Sequence, residues 1–165
     1  SNWITNDKKD ETLTSSGLRL EMYSLAIKKI EDVPFFGHGY RTSNIVVFKD
    51  SKTLGGRLSY TYNHLHNAYL TNYFNGGIIL LGALLLLLFL PLKIFLKGNK
   101  LNRENPIFIS GAILTLGYAS FGMVNILLGD TYMNGFYVFF LSFFMLLGNK
   151  SIQNYQNQNN YPFVF

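Results

Sequence analysis

Two kinds of side chain in this sequence could act together on a phosphorylated substrate, namely arginine and histidine. Arg19 presents a fixed fork of donors that suits phosphate oxygens and keeps its charge at any relevant pH. His66 carries an imidazole whose ordinary pKa of about 6.5 suits it to accept or donate a proton near neutrality. His66 and Asn67 stand just before a long apolar segment. A lipid-linked phosphorylated substrate would meet both groups at the edge of a membrane helix.

The same side chains also have simpler interpretations. His66 at the start of a helix can be an interfacial or capping residue, and Arg19 can be a solvated helix residue. His64 and His66 would share one face of an extended strand and could hold a metal ion. No third ligand is nearby, so we predict no metal site. His38 between two glycines fits a turn or a loop that contacts substrate, and Asp130 fits a boundary marker of the membrane.

The elements that must position these residues are those of a membrane protein. Of the 165 residues, only 14% are charged, and the apolar residues cluster in three blocks after Gly76. The first block can cross a hydrocarbon core of about 30 Å as a helix if Lys93 reaches outward. We predict transmembrane spans over 76–96, 106–128 and 132–147, within a membrane region of 68–148. The fold class is therefore all-α and integral to the membrane.

The charges around the first span predict its orientation. Lys97, Lys100 and Arg103 follow it, and Glu104 is the one acid of this short loop. Short loops rich in Lys and Arg stay in the cytoplasm, so residues 1–67 should form a large loop on the opposite, outer side. That outer face collects most of the chemistry-bearing side chains: Arg19, Arg41, Arg57, His38, His64, His66, Asn67 and Asp130.

Within the outer loop we predict an amphipathic helix over 16–32 that ends before Pro34. Its apolar stripe consists of Leu18, Met22, Leu25 and Ile30. A short strand over 45–48 and a turn at Gly55-Gly56 should follow. The Gln/Asn-rich composition after residue 149 predicts a disordered cytoplasmic tail over 149–165.

Several function classes are disfavoured. The net charge of +5 comes from basic residues that form no stripe with interleaved aromatics, so we predict no nucleic-acid partner. There is no cysteine, hence no disulfide or thiolate chemistry. Glycine-rich phosphate loops, nucleophile elbows and zinc signatures are absent from the sequence. The chain begins without Met or a signal segment, and we expect it to be the C-terminal part of a longer membrane protein.

Three sequences in this order, SGLRL (16–20), DVPFFGHG (32–39) and HNAYL (66–70), resemble the O-antigen ligase and polymerase superfamily. They correspond to its large periplasmic loop and the span that follows. The family pattern has a His, then Asn, Ser or Gln, then nine residues and a glycine, which His66, Asn67 and Gly77 match. The second glycine of the pattern is replaced by Leu80, with Gly82 nearby. The sequence DTYMNG (130–135) is also similar to the family.

The resemblance implies a multi-span glycosyltransferase of the bacterial inner (cytoplasmic) membrane with its active face in the periplasm. Its donor would be an undecaprenyl-diphosphate-linked glycan, and its acceptor lipid A core, a polysaccharide or a protein such as pilin, with no cofactor. By position, Arg19 matches the arginine that engages the donor diphosphate, and His66 matches the histidine that activates or orients the acceptor hydroxyl. These two form the predicted catalytic pair. We predict that further side chains bind substrate: Asn67, His38, Arg41, Tyr69 and Asp130.

Other functions remain open from sequence alone. Ligase, polymerase and protein O-oligosaccharyltransferase are not separated by these motifs. Tyr69 and its neighbouring tyrosines also fit an interfacial aromatic belt in contact with membrane lipids. A non-catalytic transporter or lipid-binding subunit would need charges along a path through the membrane, and the spans have almost none apart from Lys93. An inert fragment that needs missing spans to fold is a further alternative.

Overall fold

Helices form all the regular structure in the part of the chain that the computed structural model describes, residues 15–49, 64–101, 105–127 and 131–159. The elements are α1 (Ser15–Lys28), a 3-10 helix (Ile30–Asp32), α2 (Ser43–Phe48), α3 (Ala68–Leu101), α4 (Pro106–Phe121) and α5 (Thr131–Asn159). The all-α prediction is confirmed for these ranges. The predictions at Gly55-Gly56, Arg57 and Asp130 lie outside them.

Two helices are long and apolar enough to cross a membrane by length and composition, Ala68–Leu101 and Tyr132–Gln158. They contain the predicted first and third spans. The helix found at the predicted second span is shorter than expected, because α4 has 16 residues, about 24 Å of helix. The chain then turns at Gly122, so the continuous helix predicted to residue 128 is wrong. Three crossings therefore stay a prediction.

The predicted strand over 45–48 is wrong, because these residues belong to α2. The β-branched run Ile-Val-Val favours a strand locally, but burial decides the conformation here. Val47 and Phe48 are fully buried against α1, and the Ser43 N–H at the start of α2 donates to the Asn75 side-chain oxygen at 3.0 Å. A helix end that finds such a partner has fewer unpaired backbone groups.

A helix is confirmed within the predicted range 16–32, but α1 ends at Lys28 and is not clearly amphipathic. Met22 is buried, as the apolar stripe predicts, but Leu20 and Ile27 are 68% and 60% exposed, so the opposite face is less polar than a strict stripe requires. At the other end of the chain, α5 continues through the Gln/Asn-rich segment to Asn159. Residues 149–159 are thus helical and not the disordered tail that low complexity predicts.

Three apolar clusters hold the helices together. The first joins α1, α2 and the start of α3 around buried side chains: Met22, Ala26, Val47, Phe48, Leu65 and Phe74. The second packs α3, α4 and α5 around Leu84, Leu88, Tyr118 and Tyr137. The third lies near the end of α3, around Phe95 and Phe108.

Helix α3 is broken at Gly76 and Gly77, whose backbone angles are not helical. Gly77 has φ 62° and ψ −154°, a region open essentially to glycine alone. A break of this kind leaves backbone groups without their helical partners, which is costly away from water unless another segment pairs with them.

The loop of residues 34–39 supplies the missing partners. Three backbone hydrogen bonds join it to the broken helix: His38 N–H to the Phe74 carbonyl (2.8 Å), Gly39 N–H to the Asn75 carbonyl (2.9 Å) and Ile78 N–H to the Phe35 carbonyl (3.2 Å). The loop can come this close because Gly37 and Gly77 have no side chains. A Cβ on Gly37 would lie 2.5 Å from the backbone of Asn75. The break in α3 is therefore a docking point for the segment that follows α1.

Candidate functional site

The site lies where the start of α3 meets the end of α4. The first N–H groups and the last carbonyls of any helix have no partner within that helix. Here the Ala68 N–H donates to the Gly122 carbonyl at 2.7 Å, and the Tyr69 hydroxyl donates to the Ala119 carbonyl at 2.7 Å. The positive end of the α3 dipole thus faces the negative end of α4. Each helix supplies the partners that the other lacks.

Asn67 is the N-cap of α3. Its side-chain oxygen accepts a hydrogen bond from the Leu70 N–H at 2.9 Å, the geometry expected of an N-cap. Its side-chain amide donates to the Met123 carbonyl at 3.1 Å, just beyond the end of α4. The carboxamide therefore ties the two helix ends together. A substrate-binding role for Asn67 stays a prediction.

His66 precedes this cap in a left-handed backbone conformation with φ 49°, which is uncommon for a residue with a side chain. Its N–H donates to Nδ1 of His64 at 3.0 Å. Its carbonyl accepts a hydrogen bond from the Tyr23 hydroxyl on α1 at 2.8 Å. The N–H and the carbonyl of His66 are thus each held by a different side chain.

His64 is a neutral hydrogen-bond acceptor at neutral pH. Burial, and next the neighbouring His66, lower the pKa of His64 to about 4. The hydrogen bond from the His66 N–H requires an unprotonated Nδ1, so the proton of the neutral ring is assigned to Nε2. The two rings lie edge to face, with centres 4.3 Å apart. This nitrogen of His64 is therefore already engaged by the chain itself.

Arg19 acts electrostatically on this turn from α1. Burial lowers the pKa of His66, and the charge of Arg19 lowers it further. Burial raises the pKa of Tyr23, and Arg19 partly offsets that rise. A permanent cation, a neutral imidazole and a protonated phenol therefore share one region. A neutral imidazole can accept a proton from a hydroxyl, and a fixed cation stabilises an anion that leaves.

The predicted site residues divide between two places. One group lies at the junction of α3 and α4 and consists of His66, Asn67 and Tyr69, and Arg19 acts on His66 electrostatically from α1. The segment of α3 from that junction to the break spans residues 68–75, about 12 Å of helix. The nine residues between Asn67 and Gly77 are this segment and Gly76, so the motif spacing joins a helix cap to a helix break.

The remaining predicted residues lie elsewhere. The backbone of His38 docks on the helix break, and its ring stacks on Phe74 with centres 6.3 Å apart. The Nε2 atom of His38 is buried without a hydrogen-bond partner among the described residues. Arg41 is exposed, with its guanidinium carbon 5.3 Å from the centre of the Tyr40 ring. Asp130 lies outside the described ranges, and the substrate-binding roles of all three stay predictions.

Tyr23 is a component that the sequence does not single out. Its hydroxyl contacts two carbonyls, those of His66 and Met123, from distant parts of the chain. The signal that could have identified it is its spacing of four residues from Arg19, which places both on one face of a helix. The carbonyl groups at the end of α4 could not be identified from the sequence, because every residue has a backbone carbonyl.

We expect the stability of the protein to fall as the pH is lowered from 6.5 to about 4. The unfolded chain binds a proton on His64 at higher pH than the folded chain does, so acid favours unfolding. Above this window His64 is neutral in both states and has no effect. The variant His64→Asn keeps an oxygen that can accept from the His66 N–H but does not titrate, and its unfolding temperature should fall less. If the unfolding temperatures of the wild type and of His64→Asn fall equally as the pH is lowered from 6.5 to about 4, the prediction is wrong.

A comparison with protein families finds the same family that the motifs resemble. The sequence pattern of a protein family described as O-antigen ligase matches residues 2–86, about half of the chain. A Haemophilus influenzae protein described as uncharacterized is 30% identical over 101 residues, which is 59% of this chain and 24% of that protein. The chain thus spans about a quarter of the length of this relative. No solved structure matches.

Proposed function

The chain belongs to the O-antigen ligase family, and from that premise we propose that it forms part of an enzyme that transfers a glycan from an undecaprenyl-diphosphate carrier to an acceptor hydroxyl. The observation that supports the proposal most directly is the approach of α1 to the turn at His66, where the Tyr23 hydroxyl, one helical turn after Arg19, donates to the His66 carbonyl at 2.8 Å. From α1 the charge of Arg19 lowers the pKa of His66.

In the proposed reaction the acceptor oxygen attacks the anomeric carbon of the donor sugar. The bond between that carbon and the diphosphate oxygen breaks, and the diphosphate leaves with the electron pair. His66 takes the proton of the acceptor hydroxyl, which its neutral imidazole allows. Arg19 holds the diphosphate and stabilises its charge as the bond breaks. Holding both reactants at one junction lowers the entropic part of the barrier.

The proposed location is the periplasmic face of the bacterial inner membrane. Lys93, Lys97 and Lys100 lie towards the end of α3, and Lys-rich ends of membrane helices remain in the cytoplasm. His66 lies before the opposite end of the same helix. An activity at His66 would then meet the glycan donor on the outer side.

The members of this class of enzymes differ in the acceptor that they use. A ligase would use lipid A core, a polymerase a growing polysaccharide, and a protein O-oligosaccharyltransferase a hydroxyl of a protein such as pilin. The surface glycans of a deletion strain distinguish them. Loss of the ligase leaves unligated polymer, loss of the polymerase leaves capped single units, and loss of the oligosaccharyltransferase leaves unmodified protein.

We expect Arg19→Gln to lower the rate of glycan transfer by about 10²–10³-fold, the range for removal of one preorganised electrostatic contact. Arg19→Lys should retain part of the activity, because an ammonium supplies the charge but not the planar fork. The assay uses the intact protein in lipid nanodiscs with an undecaprenyl-diphosphate-linked glycan and measures released undecaprenyl diphosphate.

The matched control is Lys28→Gln, which removes a cation from an exposed position of the same helix. This variant should transfer glycan at the wild-type rate. If Arg19→Gln is as active as Lys28→Gln, the diphosphate contact assigned to Arg19 is wrong. If the wild-type protein releases no undecaprenyl diphosphate with any of the three acceptor classes, the proposed function is wrong.

A further inference from the structure

The Tyr23 hydroxyl is the point at which three separate segments of the chain meet. Tyr23 lies on α1, and its hydroxyl oxygen is 2.8 Å from the His66 carbonyl and 3.1 Å from the Met123 carbonyl. The first carbonyl belongs to the turn before α3 and the second to the turn after α4. The single hydroxyl proton is shared between these two acceptors, with the shorter contact to His66, so one side chain connects α1 to both helix ends that form the site.

The backbone of His66 needs such support. A left-handed conformation in a residue with a side chain is strained and persists only when the surrounding contacts hold it in place. The N–H of His66 is held by His64 at 3.0 Å and the carbonyl by Tyr23. Asn67 then begins α3, so the position of His66 relative to the helix depends on these two contacts and on the cap.

Apolar packing also holds α1. Met22 and Ala26 pack into the apolar cluster with exposed fractions of 1% and 0%, and this packing selects the face of α1 that is buried without being directional itself. A hydrogen bond to a carbonyl is directional and further restricts the rotation and position of α1. Arg19 lies one helical turn before Tyr23, on the same face. The bond from Tyr23 to His66 therefore also determines where the guanidinium lies relative to the imidazole.

We propose that Tyr23 is a positioning residue, which holds Arg19 and His66 at their working separation by joining α1, the turn at His66 and the end of α4 through one hydroxyl. The inference rests on the proposed glycan transfer. Tyr23 itself does not touch substrate or exchange a proton. It keeps the cation and the base in the relative position that lets one diphosphate sugar and one acceptor hydroxyl occupy the site together.

The test is Tyr23→Phe in the intact protein, assayed with the undecaprenyl-diphosphate-linked glycan and normalised to folded protein from the monodisperse chromatographic peak. We expect kcat to fall about 10–100-fold, the effect of a small misplacement of reacting groups, with little change in KM for the donor. Because α1 is no longer tied to His66, Arg19 should lower the pKa of His66 less than in the wild type. The acid limb of the pH–rate profile should then move to higher pH.

Tyr73→Phe is the matched control. Tyr73 also packs at the edge of the first apolar cluster, but the structure shows no hydrogen bond from its hydroxyl to the described residues. It should leave kcat and the pH profile unchanged. If Tyr23→Phe behaves like Tyr73→Phe while His66→Ala is inactive, the positioning role is wrong and the proposed function stands. A fall in kcat without any shift of the pH profile would also overturn it, because the loss would then be structural.

Discussion

Replacing His66 with Ala is expected to reduce glycan transfer by about 10²–10⁴-fold, the usual contribution of a general base. The amount of folded protein should stay close to wild type, because the cap and the helix ends that surround His66 use the backbone and Asn67. The measurement is release of undecaprenyl diphosphate by the intact protein in nanodiscs, together with glycan attachment in cells.

A second substitution separates the chemistry of His66 from its backbone conformation. Alanine adopts φ 49° poorly, so part of any loss could come from strain. Asparagine tolerates left-handed backbone far better and has no basic nitrogen at neutral pH. His66→Asn should therefore be as inactive as His66→Ala but fold more like wild type. Full activity of His66→Asn would exclude His66 as the base.

Replacing Gly77 with Ala should destabilise the protein by about 3 kcal/mol or more. The strain of a side chain in this backbone region is about 1–3 kcal/mol, and each backbone hydrogen bond that is lost adds about 0.5–1.5 kcal/mol. A Cβ on Gly77 would overlap the Phe35 carbonyl oxygen and lie 2.7 Å from the Gly37 nitrogen. The loop of residues 34–39 would have to leave the helix break. Thermal unfolding in detergent and the yield of folded protein measure the effect.

Gly82 offers a control in the same helix. A Cβ on Gly82 would meet no atom within 4 Å, so Gly82→Ala introduces no clash among the described residues. Its higher helix propensity should stabilise the protein by up to about 1 kcal/mol. Equal unfolding temperatures for Gly77→Ala and Gly82→Ala would show that the helix break is not maintained by the absence of a side chain at Gly77.

The errors of sequence-based prediction in this protein occur where contacts are distant in sequence. The run Ile-Val-Val favours a strand, but burial of Val47 and Phe48 against α1 makes it a helix. The apolar block after Pro106 predicts a helix to residue 128, yet α4 ends at Phe121. Beyond that point the carbonyls of Gly122 and Met123 accept hydrogen bonds from Ala68 and Asn67, which lie more than fifty positions earlier. Local composition carries no information about such partners.

The sequence by itself determines the apolar, helical character of the chain and its family, and it suggests the residues of the proposed catalytic pair. These follow from composition, motif order and side-chain type, which are local properties of the chain. The position of Arg19 relative to His66 is decided by the tertiary structure. Tyr23 must reach across 43 residues to the His66 carbonyl and 100 residues to that of Met123. Hydrogen bonds to backbone carbonyls depend on geometry and not on the type of residue that accepts them.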